Sequence, residues 1–280
     1  MKKLVTLIKD AGHHWYTHRA PEAGAAISYY ATFSFIPLLG LIVYLGSILV
    51  NRSDIEYALY HEIGRVIGFP SAIFIQTTLE QTRLTDASGI ALVIGIGALI
   101  LGTFGVLGQT QSTLNRWWRL ESREISWKSE LWSRIVSLSI IPVLAVFLIL
   151  TLLGTTILTF VPESIGHALS LTLILNILSE LIPTMISICL FAYMYRFLPR
   201  RRIPWREAFL GAITTAILFF GGHVLINFYI SEFASTSIFG AAGTFVATLV
   251  WIYISAQMFL FGASIIYAYS SKRGYLKQGE

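Results

Sequence analysis

The stretch Tyr195–Phe209 reads YRFLPRRRIPWREAF and packs Arg196, Arg200, Arg201, Arg202 and Arg206 between two strongly apolar runs. These five arginines are a quarter of the 20 lysines and arginines in the chain. A cluster this basic can be a nucleic-acid footprint, a topological anchor, or a docking place for an anionic lipid or solute. The runs on either side decide between these readings, and with them the fold.

Charge-free windows run from Ala23 to Val50, Ala87 to Leu114, Ile135 to Pro162, Leu181 to Tyr195, Ala208 to Ser231 and Phe233 to Ser271. A helix needs about 20 apolar residues to cross a hydrocarbon core of roughly 30 Å. Five windows meet that outright, and the short fourth one can extend through Phe197 and Leu198 or backward past Glu180 into the apolar run Leu169–Ser179. The continuous runs lack the two-residue alternation of a membrane-spanning barrel. Composition agrees: 55% of residues are hydrophobic, 12% are charged, and the mean hydropathy is +0.69. A soluble domain carries roughly 25% charged residues, so this chain lacks the charge to cover itself in water. The lone Cys189 excludes a disulfide framework and is expected to pack as a small hydrophobe.

The expected fold is therefore all-α, a single membrane domain over residues 1–280, with spans near 23–50, 87–114, 135–162, 176–198, 208–231 and 243–270. Residues 1–22 read as an amphipathic helix on the cytoplasmic membrane surface, with Leu4, Leu7, Ile8, Ala11 and Trp15 recurring at helical spacing. No cleavable signal peptide is expected, because Lys9 and Asp10 end the apolar run too early.

Loop charges alternate between the spans. The N-terminal segment, the Asn115–Arg134 loop, the Arg196–Glu207 loop and the tail after Ser271 hold all but Arg52, Arg65 and Arg83 of the lysines and arginines. The first loop sets those three against Asp54, Glu56, Glu62, Glu80 and Asp86. The positive-inside rule then places the basic side, and both termini, in the cytoplasm. The arginine cluster is first a cytoplasmic anchor, and anionic headgroups add to it at roughly 1 kcal/mol per basic residue. Nucleic acid is not expected as a partner, since Tyr195 and Trp205 suit an interfacial aromatic belt.

No phosphate loop, HExxH, nucleophile elbow or dinucleotide fingerprint occurs, so neither an enzyme nor a cofactor is expected. His14 and His18 stand at i, i+4, a spacing that packing at the interface explains, and no metal is expected. The informative residues sit in the spans. Ser28, Tyr29, Tyr30 and Ser34 put hydroxyls in the first, with Pro37 as a kink. Gly102, Gly105 and Gly108 offer a close-packing face on the second. Gln109, Gln111 and Asn115 crowd its cytoplasmic end. His223 with Asn227, and Tyr253 with Gln257, are i, i+4 pairs within the fifth and sixth spans. Polar groups in a bilayer are functional candidates by default, so Tyr29, Tyr30, Gln109, Asn115, His223, Asn227, Tyr253 and Gln257 are the candidate polar lining of a path.

Three blocks carry a resemblance: AAISYYATFSFIPLL from Ala25, FGVLGQTQSTLNRWW from Phe104, and the region from PWREAFLGAITTAILFF to SIFGAAGTFVATLVWIYISAQMFLFGAS. Together they resemble the YihY/BrkB family of bacterial inner-membrane proteins over nearly the whole chain. Asn115, Trp117 and Trp118 match its second block. Gly240, Ala241, Gly243, Trp251 and Tyr253 match its third. The last block of that family often ends Gly-Ala-Glu, whereas here it is Gly262, Ala263 and Ser264. The resemblance implies a six-helix inner-membrane protein, often suspected of transport. The old family label of ribonuclease BN finds no support in these residues.

The function expected is a transporter or flippase-like exporter of an amphipathic or lipid-linked solute. The alternative is a non-transporting scaffold, and a homo-oligomer is compatible with either. Scaffolds have no need of amides at mid-membrane, which favours transport.

Overall fold

The apolar runs fold into long helices bounded by charge, proline and glycine. A computed structural model describes residues 2–48, 51–67, 89–118, 169–200, 202–233 and 240–272, with 76, 139, 143, 146 and 147 singly. The described residues form α1 (Lys2–Thr17), α2 (Ala20–Gly46), α3 (Arg52–Ile67), α4 (Gly89–Trp117), α5 (Leu169–Phe197), α6 (Trp205–Phe233) and α7 (Gly240–Lys272), with no strand among them. The fold class is all-α. Apart from residues 139, 143, 146 and 147, the expected span 135–162 lies outside the described residues, as do the side chains of His223 and Asn227, the surroundings of Gly240 and Gly243, and the whole of Arg201.

Among the described residues, Thr248–Lys272 is one helix of 25 residues long and apolar enough to cross a bilayer. Ala20–Phe35 and Pro37–Tyr44 qualify together, bent by 47°. Pro37 lies inside α2 at that bend. It has no N–H to give the carbonyl four residues back, and its ring crowds that carbonyl.

The helices pack in a row. α4 lies on α2, α2 on α7, α7 on α6, and α6 on α5, while α1 docks on α7. One buried cluster threads the row through Ala20, Leu114, Trp117, Tyr195, Leu260 and Ile266. Small residues make the close contacts. A Cβ at Gly102 would meet the Ser34 side chain and stand 2.8 Å from the Tyr30 carbonyl, and one at Gly105 would strike the Tyr30 ring. Gly108 leaves this seam, with nothing within 4 Å of its Cβ position. At 100° per residue, three glycines spaced by three drift across the helix face, and the third turns out of contact.

α6 shows the matching inversion. Its packed face holds Ala208, Gly211, Ala212 and Thr215, whereas Phe209, Ile213, Ile217 and Phe220 point outward. Bulky residues outside and small ones inside suit a helix whose outer solvent is as apolar as itself.

Three expectations are corrected. First, α1 does not lie free on its apolar face. Ala11 is wholly buried against Ile265 and Ala268, His14 is 6% exposed, and Ile8 faces out at 48%. The inward face is thus Leu7–Ala11–His14, one position round from the face the apolar pattern suggests, because it packs on α7. Second, α3 stands where a loop was read, and its Ile55 and Leu59 are buried one turn apart. Third, Cys189 is exposed on α5 rather than packed.

The break between α1 and α2 falls at Arg19, whose φ of 55° is left-handed. That conformation costs a non-glycine residue roughly 1–2 kcal/mol.

Candidate functional site

The basic loop is shaped by its two prolines. α5 ends at Phe197 because Leu198, next before Pro199, is disfavoured in helical conformation. Pro204 then starts α6, its carbonyl accepting from the backbone N–H groups of Glu207 and Ala208 at 3.0 Å each. Between them the loop is tied at three points. Gln111 Nε2 donates to the Leu198 carbonyl at 3.0 Å. Asn115 Oδ1 accepts from the Arg200 N–H at 2.9 Å. Arg196 Nη1 donates to the Ile203 carbonyl at 2.7 Å.

Arg196 is consequently a brace. Its guanidinium lies 4.7 Å from the Trp205 ring centroid and 5.6 Å from that of Phe197, within cation–π range. Arg202 and Arg206 remain exposed, and Arg200 is half-buried. The one acid of the loop, Glu207, turns inward instead. It is 3% exposed and accepts from the Ser270 hydroxyl of α7. In the first turn of α6 its charge also complements the helix dipole. The exposed side of the loop is left purely cationic among the described residues.

Beneath the loop, Tyr195 is fully buried where α5, α6 and α7 meet. Its hydroxyl donates to the Phe259 carbonyl at 2.7 Å and lies 2.6 Å from Thr215 Oγ1, while its ring stacks on Phe259. This fits only because Gly262 has no side chain: a Cβ there would strike both hydroxyls.

At the α1–α7 contact, the His14 ring is stacked between His18 and Tyr267, each 3.9 Å away by ring centroid, with Trp117 edge-on at 5.1 Å. His14 Nδ1 lies 3.4 Å from Ser264 Oγ, and its Nε2 is buried without a hydrogen-bond partner. Burial first, then the neighbouring His18 and His13, push the His14 pKa down to about 3. His18 Nδ1 bonds the His14 carbonyl. Among the described residues no group of three or more His, Cys, Asp or Glu converges on one point.

Among the described residues, the candidate lining is spread over several surroundings. Asn115 is buried, at the loop rather than along a path. Tyr29 is 61% exposed and Tyr30 38% exposed. Successive residues sit 100° apart on a helix, so Tyr29 faces out when Ser28 and Ile27 face in. Ser28, also buried, returns its hydroxyl to its own helix at the Gly24 carbonyl, 2.7 Å away, and Ser34 does so at Ala31, 3.1 Å away. Gln109 and Tyr253 are half-buried. Gln257 reaches from α7 to α2, where Nε2 lies 3.4 Å from the carbonyls of both Ala20 and Pro21. Its Oε1 is buried and has no hydrogen-bond partner.

Sequence reasoning missed Glu207, Ser270 and the Tyr195–Thr215 pair. An acid three residues past a Pro-Trp helix start was the legible signal for Glu207. The others are joined only by packing.

Long apolar helices joined by charged turns, with bulky side chains outward, define the class: a helical membrane protein. The chain belongs to the family described as Virulence factor BrkB, whose model matches residues 11–280. It is 27% identical over 271 residues to a UPF0761 membrane protein of Pseudomonas aeruginosa, covering 96% of this chain and 64% of that one. A UPF0761 membrane protein of Psychromonas ingrahamii is 29% identical over 272 residues, covering 91% of this chain and 83% of the relative. The chain thus spans less than two thirds of the length of the Pseudomonas relative. No solved structure matches.

Proposed function

We propose that this is a multi-pass protein of a bacterial inner membrane, with six spans and both termini cytoplasmic, that moves an amphipathic or lipid-linked solute. Embedding is supported by the alternation of loop charge and by the apolar bulk on outward faces: Ile96, Ile100, Leu101 and Phe104 on α4 are 49–73% exposed, like the outer face of α6. An exposed apolar surface of this extent marks a lipid or protein contact in any fold.

The observation that carries transport is Gln257 Oε1. A buried amide oxygen without a partner costs roughly 1–3 kcal/mol. A polar group or water passing between α2 and α7 would satisfy the atom. No nucleotide-binding motif is present in the sequence, so movement would follow a gradient or be passive. We assign no enzymatic role, and purified protein should cleave RNA no faster than a mock preparation.

The test is reconstitution into vesicles holding NBD-labelled phosphatidylglycerol, bleached from outside by dithionite. The protein should let bleaching pass beyond the outer-leaflet pool, and Gln257→Leu should abolish that excess while the fold persists. Bleaching confined to the outer leaflet with folded wild-type protein refutes the reading.

A scaffold is the second reading. It is favoured by the Tyr195 hydroxyl and the Asn115 and Gln111 amides, which bond protein groups and so act as glue.

A further inference from the structure

We propose that the outer face of α6, headed by Arg202 and Arg206, binds one anionic phospholipid, its phosphate on the two arginines and an acyl chain along the helix. The head of the site is cationic by construction. Arg196 is consumed as a brace and Glu207 is turned into the bundle, so the loop's only acid does not neutralise the surface. Among the described residues neither Arg202 nor Arg206 has a carboxylate partner. The bracing also matters energetically. A loop held by Gln111, Asn115 and Arg196 has little freedom left to lose when a ligand binds.

The track below is continuous. Trp205, Phe209, Ile213 and Ile217 follow one another at i, i+4, with Phe220 three further on, and their exposures run from 37% to 75%. Such spacing keeps them on one face. From Trp205 to Phe220 the helix rises about 22 Å, enough to span one leaflet's hydrocarbon depth of roughly 15 Å. Trp205 and Phe209 meet at 5.8 Å, one residue before and three residues after Arg206, and such rings suit the interfacial level.

A free anion would need no such track. A nucleic acid would need stackable rings on the polar side, and here the rings descend from it. These features select a lipid as the source of the phosphate.

This rests on α6 spanning the bilayer but not on transport, so a failed flux assay leaves it standing. The experiment is native mass spectrometry of purified, delipidated full-length protein titrated with phosphatidylglycerol or phosphatidylcholine. One phosphatidylglycerol should bind in preference to phosphatidylcholine. Arg202→Gln with Arg206→Gln should weaken it roughly 30-fold, two headgroup contacts' worth, with unchanged thermal unfolding. Lys9→Gln, exposed on the same basic side, should leave it unchanged. Equal binding of both lipids, equal loss in Lys9→Gln, or displacement by inorganic phosphate or a short RNA at matching concentration overturns the proposal. The spanning premise is read separately: Ile217→Cys in vesicles should resist a water-soluble maleimide, and rapid labelling there would remove α6 from the bilayer.

Discussion

Acidification is expected to loosen α1 from α7, because His14 enters that contact as a neutral imidazole. Its ring is held between His18 and Tyr267, with Trp117 at its edge, Ser264 at Nδ1 and no acceptor at Nε2. The titratable groups around it are His13 and His18 of α1 and Tyr267 of α7, with Asp10 one turn before it on α1, exposed and paired with Lys272 of α7. Docking lowers the His14 pKa from 6.5 to about 3, chiefly through burial. The docked state therefore binds fewer protons than the released one. Docking is at full strength above pH 6.5 and is progressively lost as pH falls from there towards 3. Each unit in that window costs roughly 1.4 kcal/mol, so about pH 5 removes at most ~2 kcal/mol, a ~30-fold shift towards release. The part due to His13 and His18, which are exposed, is screened by salt, making that figure an upper one. Hydrogen exchange in nanodiscs, corrected for intrinsic rate, reads this directly over Ala11–His18. Protection should fall between neutral pH and about pH 5, and His14→Gln should be flat across the range. A wild-type segment whose protection does not change, or a His14→Gln segment that falls as steeply, refutes the reasoning.

Gly262→Ala should push apart Tyr195, Thr215 and the α6–α7 contact and cost about 1–3 kcal/mol in thermal unfolding; unchanged unfolding would mean the contact relaxes freely. Asn115→Ala leaves the Arg200 N–H without its acceptor and should speed tryptic cleavage in the basic loop about tenfold or more, one lost buried hydrogen bond. His223→Leu should leave an inserted, folded protein that has lost its flux; retained flux would assign His223 to packing. Cysteines placed at Ser71 and Ser235 should be labelled from outside intact cells, and those at Ser126 and Arg201 should not. External labelling at Arg201 would invert the orientation.

The sequence by itself determined the all-α class and its family, because membrane helices are written as contiguous apolar runs bounded by charge, a one-dimensional signal. It located the basic loop for the same reason, and both loop-ending prolines act where they stand. It misplaced the inward face of α1, because Ile8 and His14 are ranked by polarity when the partner is water or lipid, and the partner is α7. It could not divide the arginines into a brace, Arg196, and an exposed pair, since that depends on whether Ile203 and Trp205 come within reach. Nor could it tell that Asn115 belongs to the loop, 85 residues away in the chain, while Tyr29 turns outward. Within a bilayer, apolarity no longer marks the inside of a bundle, and only the packing of one helix on the next decides which polar group meets which.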